Sequence, residues 1–191
     1  QAEYDDGDHK GAFPGQERLG ERPLAAVEDR QFYVFYNKGA VAFYYLKEMI
    51  GEDAVNRALR RLIQRYAYAP PPYPTSYALL DALRDETPPH LRYLIRDLFE
   101  DIILFSNRAI AATAVKRPDG AYDVTLEVEA RKLENDSAGR ETEVAVDDWI
   151  ALAHFAKPAP GRRYGATLYR QRLHLTRRRT TVTFVTPQLP A

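Results

Sequence analysis

The 191-residue chain contains no cysteine, one methionine and one tryptophan. Without cysteine, the chain itself has no disulfides, thiolate zinc sites, cysteine nucleophiles or iron–sulfur clusters. Long apolar stretches are also missing, because the longest uninterrupted run is Ala40–Leu46. A helix that spans a bilayer needs about 20 apolar residues, so we expect this part of the protein to lie outside the membrane.

The chain has no excess charge of either sign. It contains 27 Lys and Arg and 27 Asp and Glu, and the formal net charge is zero. A nucleic-acid-binding domain normally has a clear basic excess, so we expect no nucleic-acid partner. Arginine clusters occur at Arg162-Arg163 and Arg177–Arg179, and in a neutral domain they are typical of solvated surfaces.

The usual catalytic motifs are absent as well. The four histidines are His9, His90, His154 and His174, and none is followed by Glu or lies four residues from another. The zinc motif H-E-x-x-H is therefore missing, and so are the G-x-S-x-G and phosphate-loop patterns. We expect no zinc site within this chain.

Composition and periodicity divide the chain into three parts. Residues 1–23 are rich in glycine and charge and form a loop or lead-in. Residues 24–107 have apolar residues three and four positions apart, which is typical of helices, and residues 108–191 alternate with a period of two, which is typical of strands. The predicted fold class is α+β, with a bundle of short helices followed by an antiparallel, immunoglobulin-like β-sandwich.

Four helices are predicted in the second part. Gly51 is expected to end the first helix in a left-handed conformation, and the prolines of Ala69–Pro74 predict a stiff, extended connector. The helices are expected over Tyr33–Ile50 and Asp53–Tyr66, after a cap at Thr75 or Ser76, and from Thr87-Pro88 onward.

Six short strands are predicted in the third part. A turn at Pro118-Asp119-Gly120 joins the first two strands, and a turn at Asn135–Gly139 follows the second. The strands are expected near Ile110–Lys116, from Tyr122 to about Arg131, and over Glu141–Val146, Trp149–Phe155, Thr167–Leu175 and Thr180–Thr186.

The aromatic stretch from Phe32 to Gly39 is the most informative part of the sequence. Aromatic residues that open a helix usually build core, but the hydroxyl of Tyr36 is also able to donate a hydrogen bond to an oxyanion in a cleft. Lys38 is expected to pack its stem while its ammonium group stays in water. Gly39 within a helix indicates the close approach of another backbone.

Seven ordered motifs lie within about residues 24–186. They are Tyr36–Ala40, Ile50–Ala54, Ala58–Arg61, Pro71–Ser76, Leu98–Glu100, Val128–Lys132 and Gly139–Glu141. Together they resemble the zinc aminopeptidases of the membrane alanyl aminopeptidase (gluzincin) family. They are most similar to the bacterial subgroup in which the peptidase is fused to an ABC transporter permease.

In that family the tyrosine of the Y-x-K-G motif hydrogen-bonds the tetrahedral intermediate, and here the resemblance gives this role to Tyr36. It implies that Tyr33, Lys38 and Gly39 support the substrate cleft. The family's zinc ligands and general base would precede residue 1, so the resemblance implies no cofactor in this chain and zinc in the parent protein. The chain begins with Gln1 rather than Met, as expected of a segment of a longer polypeptide.

The resemblance thus implies the C-terminal portion of a zinc metallopeptidase that acts on peptide N-termini and is inactive as an isolated chain. Its expected partners are the upstream catalytic domain of the same protein and a peptide substrate. The parent would be a bacterial membrane protein with this part in the aqueous phase.

Two alternatives remain open. In the first, the chain is a non-catalytic interaction or scaffold module beside an ABC transporter, and Tyr36 is a core residue. In the second, which rests on fold analogy alone, the β-domain binds sugar or protein.

Overall fold

The computed structural model describes residues 20–28, 31–32 and 34–189. The chain forms two compact units. Of the described residues, the first unit comprises those from 20 to 103 together with 134–141, and the second comprises 104–133 together with 142–189. Helices come first and antiparallel strands follow, so the mixed helix-and-sheet class predicted from the sequence is confirmed.

Three regular helices form the first part of the helical unit: α1 over Gly39–Ile50, α2 over Glu52–Tyr66 and α3 over Ser76–Glu86. A 3-10 turn, Leu24–Ala26, precedes them. Gly51 ends α1 as predicted, with φ at 91° and its N–H donating to the carbonyl of Lys47 at 2.8 Å. Since φ is positive there, glycine is the residue that fits at least cost.

The first and third helices begin differently from the prediction. The first helix was expected from Tyr33, but Val34–Lys38 forms a wider π-helical turn before α1, and Tyr33 lies outside the described residues. Thr75 occupies the N-cap position of α3, yet no side chain caps this helix. The Ser76 hydroxyl donates instead to the carbonyl of Ala25 at 2.6 Å.

The predicted fourth helix is irregular. It consists of a 3-10 turn at Pro89–Leu91, a single α-turn at Tyr93–Ile95 (α4) and a π-turn at Arg96–Glu100. The π-turn is closed by a hydrogen bond from the Asp101 N–H to the Arg96 carbonyl at 2.9 Å. Five apolar residues of this segment are buried despite its irregularity: Leu91, Leu94, Ile95, Leu98 and Phe99.

Six strands follow the helices: β1 over Ile102–Lys116, β2 over Tyr122–Asn135, β3 over Glu141–Val144, β4 over Asp148–Phe155, β5 over Thr167–Leu175 and β6 over Arg179–Thr186. The first strand starts eight residues earlier than predicted, so Ser106 and Asn107 lie in a strand rather than at the end of the predicted helical part. Both predicted turns are present, and Gly120 and Gly139 adopt positive φ angles in them.

The strands form two sheets. In the larger sheet β2 lies between β1 on one side and β3 and β6 on the other, and β4 pairs with β5 in the smaller one. Alternate residues of β2 supply the centre of a hydrophobic core, and partly buried residues of β4, β5 and β6 pack against it. The buried members of this core are Val124, Leu126, Val128, Ala130, Leu175 and Phe184.

None of the helices in the described part of the chain is both long and apolar enough to cross a membrane. Most of the predicted lead-in lies outside the described residues, and Gly20–Pro23 is irregular.

Candidate active-site pocket

The candidate site is built around the turn Val34–Lys38. Its two ends, Val34 and Lys38, are four residues apart and are both buried. Because residues three to five apart share one face of a helical turn, burying this pair directs the intervening aromatic residues outward. Phe35 and Tyr36 are accordingly exposed.

Tyr36 is 69% exposed and therefore not a core residue. Its ring contacts that of Phe35, with centroids 4.9 Å apart and a tilt of 40°. Its hydroxyl makes no hydrogen bond to any residue that the structure describes. A tyrosine hydroxyl in this position is able to donate to a bound ligand without first losing a partner within the described residues.

Lys38 is placed differently from the prediction. The ammonium group was expected in water, but the side chain is only 10% exposed and Nζ lies 3.0 Å from Oε1 of Glu21, which is 16% exposed. The hydrogen bond joins residues 17 positions apart in the chain. Lys38 thus ties the turn that presents Tyr36 to the segment before the first 3-10 turn.

Gly39 has a different neighbour from the one predicted. A Cβ built on Gly39 would lie 3.7 Å and 3.9 Å from the two δ-carbons of Leu24. These are ordinary contacts with a side chain, and among the described residues no backbone approaches Gly39 closely, in contrast to the prediction. Gly39 instead leaves open space beside Leu24 in the wall of a pocket.

A pocket of about 410 Å³ adjoins Tyr36. Its walls are supplied by the first 3-10 turn, the Val34–Lys38 turn, α1, α3 and the irregular helix, and Phe43 meets Phe99 edge-on at 5.3 Å. The hydrogen bond from Ser76 to Ala25 holds the start of α3 against the first of these walls. The lining residues are Leu24, Ala25, Phe35, Tyr36, Gly39, Ala40, Phe43, Ser76, Leu79, Leu80 and Phe99.

The pocket is almost entirely apolar. Among the described lining residues, Tyr36 and Ser76 supply the side-chain hydroxyls, and that of Ser76 is already engaged. A concave apolar surface with few directed polar groups is the usual form of a small-ligand site. The arrangement suits an apolar group inside the pocket and a polar group beside Tyr36.

The described residues offer no ligand set for zinc. No group of three or more His, Asp or Glu side chains is arranged there to hold a metal ion. His154 packs against Phe184 at 4.9 Å, and burial lowers its pKa. His174 lies 2.6 Å from Asp147 and stacks on Trp149.

Two arginines of α2, Arg57 and Arg61, form surface ion pairs. Arg57 donates to Glu86 at 2.8 Å, and its hydrogen bond lowers the pKa of that carboxyl. Arg61 pairs with Glu86 and with Asp85. Both side chains are about half exposed, so these paired arginines lie on a solvated face.

Of the predicted site residues, Tyr36 and Gly39 line the pocket, Lys38 is buried in its ion pair with Glu21, and Tyr33 is outside the described residues. Sequence reasoning missed the roles of Glu21, Leu24 and Ser76. A local pattern does not reveal the first two, because their contacts join separate segments of the chain. Ser76 was one of two candidates for a helix cap, with Thr75, and a serine at the start of a helix is able either to cap it or to make other hydrogen bonds.

Comparison with protein-family models, with curated proteins and with solved structures finds no match for this chain. The functional interpretation therefore depends on the ordered sequence motifs and on the geometry around Tyr36.

Proposed function

We propose that this chain is the C-terminal part of a zinc aminopeptidase-like metallopeptidase, of the type fused to bacterial ABC transporter permeases. In this proposal Tyr36 donates a hydrogen bond to the oxyanion that forms when a peptide carbonyl is attacked. The zinc ligands and the general base belong to residues before Gln1, so the isolated chain is inactive. The described residues do not fit a zinc ion, and the proposal gives this chain only the hydrogen bond and the cleft wall.

The observation that carries the proposal is the position of Tyr36. Its ring is exposed at a pocket, and its hydroxyl is unengaged by the described residues. The turn beneath it is fixed by the buried Val34 and by the ion pair of Lys38 with Glu21. A donor held in advance at the place where charge develops stabilises a transition state without reorganisation.

In this proposal the pocket also positions the peptide substrate. An apolar side chain of the peptide would enter the space bounded by Leu24, Phe43 and Phe99. Binding it there would place the neighbouring peptide group beside Tyr36. Such positioning lowers the entropic part of the barrier.

We further propose that the strand unit is an immunoglobulin-like sandwich that braces the catalytic part of the parent protein. The shared core of β2, β4, β5 and β6 supports this assignment. So does the alternation of buried and exposed residues along β2, which is typical of a sheet with one covered face.

The alternative is a non-catalytic scaffold module beside a transporter. That alternative treats Tyr36 as a core residue, and its exposure at the pocket favours the catalytic proposal.

Sequencing the coding region upstream of residue 1 discriminates between the two proposals. If the chain is part of a zinc peptidase, we expect the upstream coding region to encode H-E-x-x-H followed by a further Glu. An upstream reading frame without this motif would leave the scaffold alternative standing.

A further inference from the structure

The first strand of the second unit presents an unusually open sheet edge. β1 pairs with β2, and within the described part of the chain no strand lies on its other side. All ten residues from Asn107 to Lys116 are exposed, including Ile110 and Val115. An exposed edge of this length is a template for pairing with another strand.

The hairpin that joins β1 to β2 sets the direction of the backbone groups. The Arg117 N–H donates to the Ala121 carbonyl at 2.7 Å across the turn. Hydrogen-bonding directions alternate along an antiparallel strand. Counting back from Arg117, the N–H and C=O groups of Ala114, Ala112 and Ile110 point away from β2, toward the open edge.

The side chains along this edge leave its centre unprotected. From Asn107 to Lys116 there is no proline and no acidic residue, and the charges are Arg108 and Lys116 near the two ends. Edge strands in natural proteins often contain proline or a charged residue near their centre, which prevents pairing with another strand. The neighbouring Arg117 is already paired with Asp119 and Asp123, so its charge is offset within the hairpin.

We propose that β1 accepts an extended segment of a partner polypeptide as an added strand, held by backbone hydrogen bonds and by acidic side chains opposite Arg108 and Lys116. Lys116 lies eight positions after Arg108 along the strand, which is about 27 Å at about 3.4 Å per residue. The partner segment therefore carries carboxylates about eight residues apart, with small or β-branched residues between them.

Charge complementarity favours such a partner over a second copy of this chain. In an antiparallel pair of two β1 strands centred on Ala112, Arg108 of each copy lies opposite Lys116 of the other. Like charges directly opposite one another destabilise a strand pair. An acidic segment turns both of these contacts into attractions.

The test uses two synthetic ten-residue peptides of alternating valine and alanine. One has a glutamate near each end, eight residues apart, and the other has lysines at these positions. Fluorescence anisotropy of the labelled peptides is measured with the full chain. We expect the glutamate peptide to bind at least tenfold more tightly than the lysine peptide, and its binding to weaken as salt is added.

Backbone amide exchange gives a second readout in the same mixture. The amides of Ile110, Ala112 and Ala114 should exchange rapidly in the free chain and become protected when the glutamate peptide is added. The amides of Ala111 and Thr113 should be protected already, because they point toward β2. Binding without new protection on β1 would overturn the assignment of the site.

Two variants complete the test. Ala112→Pro removes an outward N–H without removing a bond to β2, so it should weaken the glutamate peptide at least tenfold. The double variant Arg108→Glu with Lys116→Glu changes exposed side chains alone, and it should reverse the preference toward the lysine peptide. If Ala112→Pro fails to fold, the peptide preference of the double variant still tests whether β1 binds the acidic segment.

Three further results would overturn the proposal. The first is that neither peptide binds, and the second is that the double variant leaves the preference unchanged. The third is a dimer of the chain alone, seen by sedimentation and abolished by Ala112→Pro, since the edge would then serve a second copy.

Discussion

The ion pair between Lys38 and Glu21 is expected to stabilise the segment that presents Tyr36. Both side chains are largely buried and their charged atoms lie 3.0 Å apart. Lys38→Met keeps most of the stem but leaves the Glu21 carboxylate without this donor. Hydrogen bonds to charged groups contribute about 1.5–3 kcal/mol, so the free energy of unfolding of the helical unit should fall by about that amount.

Urea unfolding followed by far-UV circular dichroism in the helical region measures this change. The double variant Glu21→Gln with Lys38→Met should lose less than Lys38→Met alone, because no carboxylate that has lost this donor remains. The pair Arg22–Glu28 provides a matched control, since it has a similar separation of 2.9 Å but both side chains are about half exposed. Arg22→Met should cost less than about 1 kcal/mol. Equal losses for Lys38→Met and Arg22→Met would refute the argument from burial.

Three further predictions concern pH, the pocket and the connector. Burial lowers the pKa of His154, so stability should be full above about pH 6.5, where the unfolded side chain is also neutral, and should fall as the pH drops through that value. His154→Gln should have a smaller difference in melting temperature between pH 7.5 and pH 5.5 than wild type, and an unchanged difference would contradict the prediction. Gly39→Ala should raise the free energy of unfolding by up to about 1 kcal/mol, because the new methyl group meets Leu24 at an ordinary contact distance. A lower free energy of unfolding in a urea titration would contradict the prediction and would indicate that the methyl group does not fit beside Leu24. Chymotrypsin should cut early after Tyr68, because this residue is fully exposed and has a φ of 61° shortly before the prolines. Mass spectrometry of the first fragments identifies the bonds that are cut, and an intact bond after Tyr68 would contradict the prediction.

The fold could be predicted where local physical chemistry decides it. Gly51 ended a helix because a left-handed residue was needed after an amphipathic segment, and Pro118-Asp119-Gly120 formed its hairpin turn for the same kind of reason. Strict alternation located β5 and β6 to within one residue. The start of β1 was missed because Ile102–Phe105 is a short apolar run, and such runs fit a buried helix and a strand equally well.

The irregular fourth helix could not be predicted in its detail. The apolar spacing from Leu91 to Phe99 identifies a helical segment and its buried face. It does not distinguish an i to i+4 bond from the i to i+5 bond that Arg96 makes with Asp101. That choice depends on tertiary packing.

The candidate site was predictable only in part. The Y-x-K-G motif indicated Tyr36 and Gly39, and both line the pocket. The environment of Lys38 depends on Glu21, which lies in a segment without a periodic pattern. A lysine at the start of a helix is usually solvated, so its burial follows from a contact that the local sequence does not encode.

The most direct test of the central claim is the effect of Tyr36→Phe on catalysis in the complete polypeptide with its upstream residues. Tyr44→Phe is the matched control, because Tyr44 is also exposed, at 63%, and lies two helical turns later outside the pocket lining. Loss of one oxyanion donor lowers kcat about 10²–10³-fold. We expect Tyr36→Phe to show this loss in kcat and in kcat/KM together, with KM little changed. Tyr44→Phe should retain nearly full activity. Equal activity of Tyr36→Phe and wild type would contradict the claim that the Tyr36 hydroxyl stabilises the transition state.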